Sequence, residues 1–358
     1  MSTVLLVGKG PSARSALESL AGRFHVVGVI RNARPRRGQE DEVQRCAREL
    51  DVPLLTDTSL RAVERAVTQH RPDCTVISSY DRILNTRILG LSRFVNVHYA
   101  LLSRYRGLAA VQWGLINGEP ELGITIHVIT KDLDAGNILY QNRITAGPDE
   151  GAGEIYSKLN EIQRRVLGAT VERYLGGYAG VPQDESTATY ACARAPEDSE
   201  INWSDSITRI YAQIRAFHEG LSIVYPEAYT YLNTRRISII RAAPLQNAPR
   251  YSGRVPGRVV GRSGADGYVD VLSGDGVLRI HQLMTDDSIV HPASAVITST
   301  QHTLGLRTAD LLARIEALSR QLDQFRAGAG PALHPDGGRP DGGRPGMAPP
   351  GISHEPAT

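Results

Sequence analysis

With 358 residues, the chain is long enough for two domains and a tail. A hydrophobic content of 41%, a charged content of 22% and a net charge of +2 describe a globular protein and exclude a chain-wide field for nucleic acid or an anionic membrane. No apolar run approaches the roughly 18 residues of a membrane span. Val4-Leu5-Leu6-Val7 runs straight into Gly8-Lys9-Gly10 and is too short for a secretory signal, so a cytoplasmic protein is expected. Nearly all the basic residues are Arg; Lys9, Lys131 and Lys158 are the only lysines. Cys46, Cys74 and Cys192 show no CxxC or metal-ligand spacing, so no metal is expected.

Thr3 to Val7 reads as a strand buried on both faces. Gly8 to Ser12 is a turn, with Ser12 the expected N-cap of a helix to about Leu20. A strand over Val26 to Ile30 leads into an Arg-rich loop (Arg31, Arg34, Arg36, Arg37), read as solvated or as an anion-binding loop. Helix (Asp41 to Leu50), short strand (Val52 to Leu55), helix (Leu60 to His70) and strand (Cys74 to Ser78) follow. This alternation predicts an α/β fold: a Rossmann-like, mostly parallel sheet with helices on both faces. Ala109 to Asn117 is a further helix. Gly123 to Thr130 and Asn137 to Ala146 are strands around an Asp-rich turn, and Gly153 to Leu175 is a long amphipathic helix closed by Gly176-Gly177.

That first domain is expected to span residues 1–180, with 181–188 a linker. Residues 189–326 form a second region with a helix over Ser204 to Phe217 and five short β-rich runs, the pattern of a small OB-like barrel, then a helix from Thr308 to Phe325. From Ala327 the chain repeats Asp-Gly-Gly-Arg-Pro and is expected to be a disordered tail over 327–358.

Gly8-Lys9-Gly10 is a weak nucleotide signal. Ala13 stands where a third glycine belongs, and no acidic residue follows the second strand, so a plain strand-to-helix turn is expected. Asn96 and His98 lie two residues apart in Phe94-Val95-Asn96-Val97-His98, so on a strand both leave one face. Asp132-Leu133-Asp134-Ala135-Gly136 supplies two carboxylates after a separate strand. Amide, imidazole and one of these carboxylates would make a proton-transfer site.

Asn96-Val97-His98-x-x-Leu101-Leu102-x-x-Tyr105-Arg106-Gly107, Trp113, Asn117-Gly118-Glu119, Gly123-Ile124-Thr125 and Leu133-Asp134-Ala135-Gly136 stand in the order found in one enzyme family. The set resembles the 10-formyltetrahydrofolate-dependent formyltransferases. The resemblance covers roughly residues 1–180, and Trp203-Ser204 with Ile214 to Phe217 extends it to the second domain of the tRNA and sugar branches. It implies Asn96 as the amide that holds the formyl oxygen, His98 as the proton-handling group and Asp134, not Asp132, as its carboxylate partner. It also implies 10-formyltetrahydrofolate as formyl donor, in a pterin pocket matching Tyr80, Arg82, Ile83 and Leu84, then Leu101, Leu102 and Ser103, then Thr130, Asp132 and Leu133. Two positions depart from the pattern. Ala100 stands where the family usually has Ser, and Ser103 stands where it has Pro, which implies a less fixed turn. His127 is read as a satisfied strand residue, with a secondary role at the site as the alternative, and Arg106 as a brace for its turn.

The acceptor follows from charge. Residues 181–330 hold nearly equal numbers of Arg and acidic residues and no Lys, unlike a basic surface for tRNA. A small-molecule amine is therefore expected: an amino-sugar nucleotide, or an amino acid or hydroxylamine of the N-hydroxyornithine type. Methionyl-tRNA is the alternative acceptor and formyl hydrolysis a further one. The second domain either positions substrate or makes a homodimer contact.

Overall fold

The computed structural model describes residues 1–31, 42–217 and 227–328. Arg34, Arg36 and Arg37, and the predicted tail from residue 329 on, lie outside the described residues.

The first half of the chain runs β1 (Thr3–Gly8), α1 (Gly10–Ala21), β2 (His25–Arg31), α2 (Glu42–Glu49), β3 (Leu54–Leu55), α3 (Leu60–His70), β4 (Cys74–Ser78), α4 (Thr86–Leu89), β5 (Arg93–His98), β6 (Arg106–Gly107), α5 (Ala110–Ile116), β7 (Glu121–Val128), β8 (Ile138–Thr145) and α6 (Ala152–Leu175). Seven of the strands form one sheet in the order β3-β2-β1-β4-β5-β7-β8. The two-residue alternation of β1 shows why helices cover both faces. Val4 and Leu6 pack with α1, α2 and α6, while Leu5 and Val7 pack with α3 and α4.

The sheet is parallel from β3 to β5 and changes direction at one edge, where β7 runs antiparallel to β5 and β8 to β7. That change sets the end of β5 against the middle of β7, and the site forms there.

The helix expected to start at Ser12 starts at Gly10 instead, with Pro11 in its first turn and Lys9 before it. Proline is suited to a first turn, where its missing N–H would have no helical partner. Ser12 is therefore free to act as a side chain rather than a cap: its hydroxyl lies 2.8 Å from Ser78 Oγ and 3.0 Å from the Tyr99 hydroxyl.

The second half holds β9 (Tyr190–Ala191), α7 (Ile207–Phe217), β10 (Tyr229–Leu232), β11 (Arg235–Pro244), β12 (Val259–Arg262), β13 (Val269–Leu272), β14 (Val277–Met284), β15 (Val290–Pro292) and α8 (Ala293–Val296). Apart from β9 these strands form an antiparallel sheet, β10-β11-β14-β13-β12, with β15 on β14. It is a half-barrel rather than a closed ring. Register shifts in β11 around Arg241 coil the sheet. Single bridges from Leu232 to Leu304 and from Arg258 to Thr303 bring both outer strands against one segment.

Short elements were missed in the sequence, among them α4, β6, α8, β9 and β15. β15 is only three residues long. β9, whose two residues fall just past the expected linker, pairs in parallel with β6 of the first half.

The last helix, α9 (Thr308–Gly328), belongs from Leu311 onward to a separate unit. It continues through Ala327 and Gly328, where the tail was expected to begin. Leu311, Ile315, Leu318, Leu322 and Phe325 are exposed along it. No helix among the described residues is long and apolar enough to cross a membrane.

Candidate active site

Asn96 and His98 close the carboxyl end of β5, and the antiparallel register sets His127 of β7 directly opposite Asn96. The turn between β7 and β8 then folds back over both. Gly136 makes that return passable: a Cβ there would stand 1.9 Å from the Val128 carbonyl oxygen. Asp134, at φ 48°, occupies the left-handed region, which Asp tolerates better than most residues.

Asp134 is the hub of the cluster. Its Oδ2 accepts from the Gly107 backbone N–H at 2.9 Å and lies 3.6 Å from His98 Nδ1. Its Oδ1 lies 3.4 Å from Asn96 Nδ2 and 3.5 Å from His127 Nε2. Asp132, the other candidate, is exposed and outside the cluster.

The ring nitrogens have distinct roles. A carbonyl can only accept, so His98 Nε2 donates to Tyr105 O at 2.8 Å, and the lone pair of the neutral ring sits on Nδ1, facing Asp134. By the same logic His127 Nδ1 donates to Val128 O at 3.0 Å, and its Nε2 accepts from Asn96 Nδ2 at 3.1 Å. Asn96 thus donates both amide hydrogens inward, and the longer bond, to Asp134, is the one a ligand oxygen displaces at least cost. His127, only 1% exposed, orients Asn96.

Charge follows from burial. Burial lowers the pKa of His98, and His127 lowers it further, against the raising effect of Asp134 and the Tyr105 carbonyl; the ring is neutral at pH 7. Burial works against ionisation of Asp134, yet the polar groups around it, the Gly107 N–H among them, prevail and lower its pKa. The cluster therefore offers an N–H donor, a neutral base and a fixed negative charge.

These groups line a cavity of about 550 Å³ at the carboxyl ends of β1, β4 and β5. Of the predicted pterin-pocket residues, Tyr80, Arg82, Ile83, Leu84, Thr130, Asp132 and Leu133 line the same cavity. Leu101, Leu102 and Ser103 do not. The chain turns under β7 after Ala100, so Leu102 and Ser103 are buried behind the site. That turn is well held despite Ser103: Leu102 N donates to Thr125 Oγ1 at 3.2 Å, Thr125 Oγ1 to Ala100 O at 2.7 Å, and Gln141 Nε2 to Leu102 O at 2.7 Å.

Sequence reasoning missed Lys9, Ser12, Ser79, Tyr99 and Tyr156, all on the cavity wall. Four of them directly follow β1, β4 or β5 or lie a few residues beyond. The rule that ligands bind at the carboxyl ends of parallel strands would have found them. Arg106 does not reach the cavity. It is 1% exposed and bonded to Gln183 and Glu185, a brace as expected.

A doubly covered α/β sheet thus gathers an amide, an imidazole and a carboxylate at its switch in strand direction. Residues 5–171 match the formyl transferase family and residues 194–301 the formyl transferase C-terminal domain; the chain belongs to this family. It is 31% identical over 294 residues to methionyl-tRNA formyltransferase of Desulfotalea psychrophila, covering 79% of this chain and 88% of that protein. The methionyl-tRNA formyltransferase of Moorella thermoacetica is 36% identical over 230 residues, 63% of this chain and 71% of the other. Among solved structures, an N-formyltransferase from Helicobacter canadensis with folinic acid and dTDP-3-aminofucose matches with TM-score 0.61 at 19% identity, covering 78% of this chain and 98% of that one. HypX from Aquifex aeolicus with tetrahydrofolic acid matches with TM-score 0.59 at 17% identity, covering 83% of this chain and 47% of that one. Both structures are likenesses of fold.

Proposed function

We infer that the chain takes a formyl group from 10-formyltetrahydrofolate and passes it to the primary amine of a small molecule, with Asn96, His98 and Asp134 as the catalytic residues. The observation that carries this reading is their convergence on one wall of the cavity, with His98 neutral and Asp134 ionised. The residues present fit the donor. The cavity lies in the size range of cofactor pockets. Exposed Ile83, Leu108 and Leu133 line it and give a flat heterocycle apolar contact, and the loops at Tyr80–Leu84 and Thr130–Leu133 form part of its wall. When bound, the donor would supply a formyl carbon on a nitrogen that departs as the amine.

The chain's own residues do the rest. In the net reaction the amine nitrogen bonds to the formyl carbon, the bond from that carbon to the folate nitrogen breaks, and one amine proton ends on that nitrogen. Asn96 Nδ2 donates to the oxygen on which charge builds, exchanging its 3.4 Å bond to Asp134 for a shorter one. His98 Nδ1 takes the amine proton and returns it to the departing folate nitrogen, with Asp134 stabilising the imidazolium in between. Gly107 N–H keeps the Asp134 carboxylate aimed at the ring.

A small acceptor is favoured by the charges of the second half. Several of its arginines are held in internal pairs: Arg209 with Asp205, Arg279 with Asp270 and Arg307 with Asp310. With Arg and acidic residues nearly balanced over 181–330, that half carries no net positive charge for the many phosphates of a tRNA. An amino-sugar nucleotide or an amino acid or hydroxylamine of the N-hydroxyornithine type meets these demands. The alternative, methionyl-tRNA, is favoured by the near full-length similarity to methionyl-tRNA formyltransferases.

Incubating enzyme and 10-formyltetrahydrofolate with a panel of such amines, and with charged initiator tRNA, separates the readings by the product that gains one formyl group. A formylated small amine supports the proposal. Formylated methionyl-tRNA alone overturns it, as does formate released without any amine.

A further inference from the structure

The linker between the two halves reaches back into the site. Gln183 Nε2 donates to the backbone carbonyls of Asp134 at 2.7 Å and Gly136 at 2.8 Å, gripping the left-handed turn from both sides. Its Oε1 accepts from Arg106 Nη2 at 2.9 Å and Nε at 3.2 Å. Arg106 in turn makes a two-pronged contact with Glu185, at 2.6 and 3.0 Å.

The same strap holds the His98 side. Thr189 Oγ1 accepts from Tyr105 N and Thr189 O from Arg106 N, both at 2.9 Å, and Tyr105 O is the carbonyl that fixes His98 Nε2. Gly107, whose N–H binds Asp134, passes so close to the strap that a Cβ would stand 2.5 Å from Ala191 O. Carboxylate, imidazole and the N–H between them are thus all anchored to residues 183–191.

We propose that this strap is part of the catalytic apparatus, with Gln183 a positioning residue that fixes Asp134 relative to His98. The inference rests on Asp134 acting in formyl transfer. The amide is chemically specific here. Its NH2 serves two acceptors and its oxygen serves a guanidinium, so no other side chain of this size satisfies all three. Gln183→Glu keeps volume and the Arg106 contact but turns a carboxylate oxygen toward two carbonyl oxygens.

A misplacement of about 1 Å costs on the order of 100-fold in rate. Gln183→Glu should accordingly lower kcat roughly 10- to 100-fold with KM for donor and acceptor little changed. The decisive comparison is a double-mutant cycle. If Gln183 acts through Asp134, the substitution costs almost nothing further in an Asp134→Asn background. A purely structural residue costs the same in both backgrounds, and that result overturns the proposal, as does wild-type kcat in a folded Gln183→Glu. Should Gln183→Glu fail to fold, Gln183→Met, which keeps length and removes all four hydrogen bonds, is put through the same cycle.

The second readout needs no acceptor. His98 is titrated by NMR in the full chain, where Asp134, His127 and the Tyr105 carbonyl are the groups that face it. Gln183→Glu should move the His98 midpoint in the direction that Asp134→Asn moves it, and should not move it in the Asp134→Asn background. An unmoved midpoint in the single variant contradicts the proposal even where no amine in the panel is formylated, so failure of the strap and failure of the acceptor reading remain distinguishable.

Discussion

At His98 the burial of one ring controls both rate and stability. A neutral imidazole with its lone pair on Nδ1 is the form that takes a proton, so kcat/KM should be flat near pH 7–8 and fall on the acid side. Because the His98 pKa is lowered, the acid limb should lie below the ordinary histidine value of about 6.5. A limb centred above that value would contradict the assignment. The stability effect has the same sign. Both His98 and Asp134 bind protons less readily folded than unfolded. Their stabilisation is complete above about pH 6.5 for the histidine and about 3.9 for the carboxylate, and is lost as pH falls through each folded pKa. The urea midpoint should therefore drop on acidification, and less so in Asp134→Asn. His98→Ala should lower turnover on the order of 100- to 10,000-fold and Asn96→Ala on the order of 100- to 1,000-fold, with circular dichroism unchanged. These residues were legible because Asn-x-His on a strand puts two polar groups on one face. His127 was harder to read. Its neighbours Ile126 and Val128 make it look like any buried strand residue, and only the antiparallel register brings it to Asn96.

Among the elements, the turn from Thr130 to Gly136 carries the most constraint. Gly136→Ala sets a Cβ against the Val128 carbonyl. It should cost on the order of 2–4 kcal/mol in chemical denaturation, together with most of the activity. A stable, active Gly136→Ala would show that the turn tolerates another path. The parallel strands were legible as apolar runs and the helices as amphipathic repeats. The reversal of direction at β7 was not, since strand polarity leaves no mark on side-chain alternation. The site of Leu101–Ser103 was also beyond sequence: placement against the cavity or behind it depends on the Thr125 hydroxyl that ties Ala100 and Leu102 under β7. Ser12 was misread for a simpler reason. It has the chemistry of a cap, but Pro11 already starts the helix, which leaves its hydroxyl to Ser78 and Tyr99.

Taken whole, the molecule joins a formyl transferase domain to a strand-rich half through a strap that hydrogen-bonds the backbone around Asp134 and Tyr105. If the strap positions Asp134 as proposed, separating the halves should abolish activity. Removing residues 329–358 should leave turnover intact, and loss of activity in that truncation would give the C-terminal segment a role this account does not. The most direct measurement is the amine-dependent rate of tetrahydrofolate formation from 10-formyltetrahydrofolate, with the formylated product identified by mass. Wild-type enzyme should yield the formylated small amine, and folded His98→Ala and Asp134→Asn should both be slower by orders of magnitude. Wild-type rates in either variant, or formyl transfer confined to methionyl-tRNA, would contradict the account.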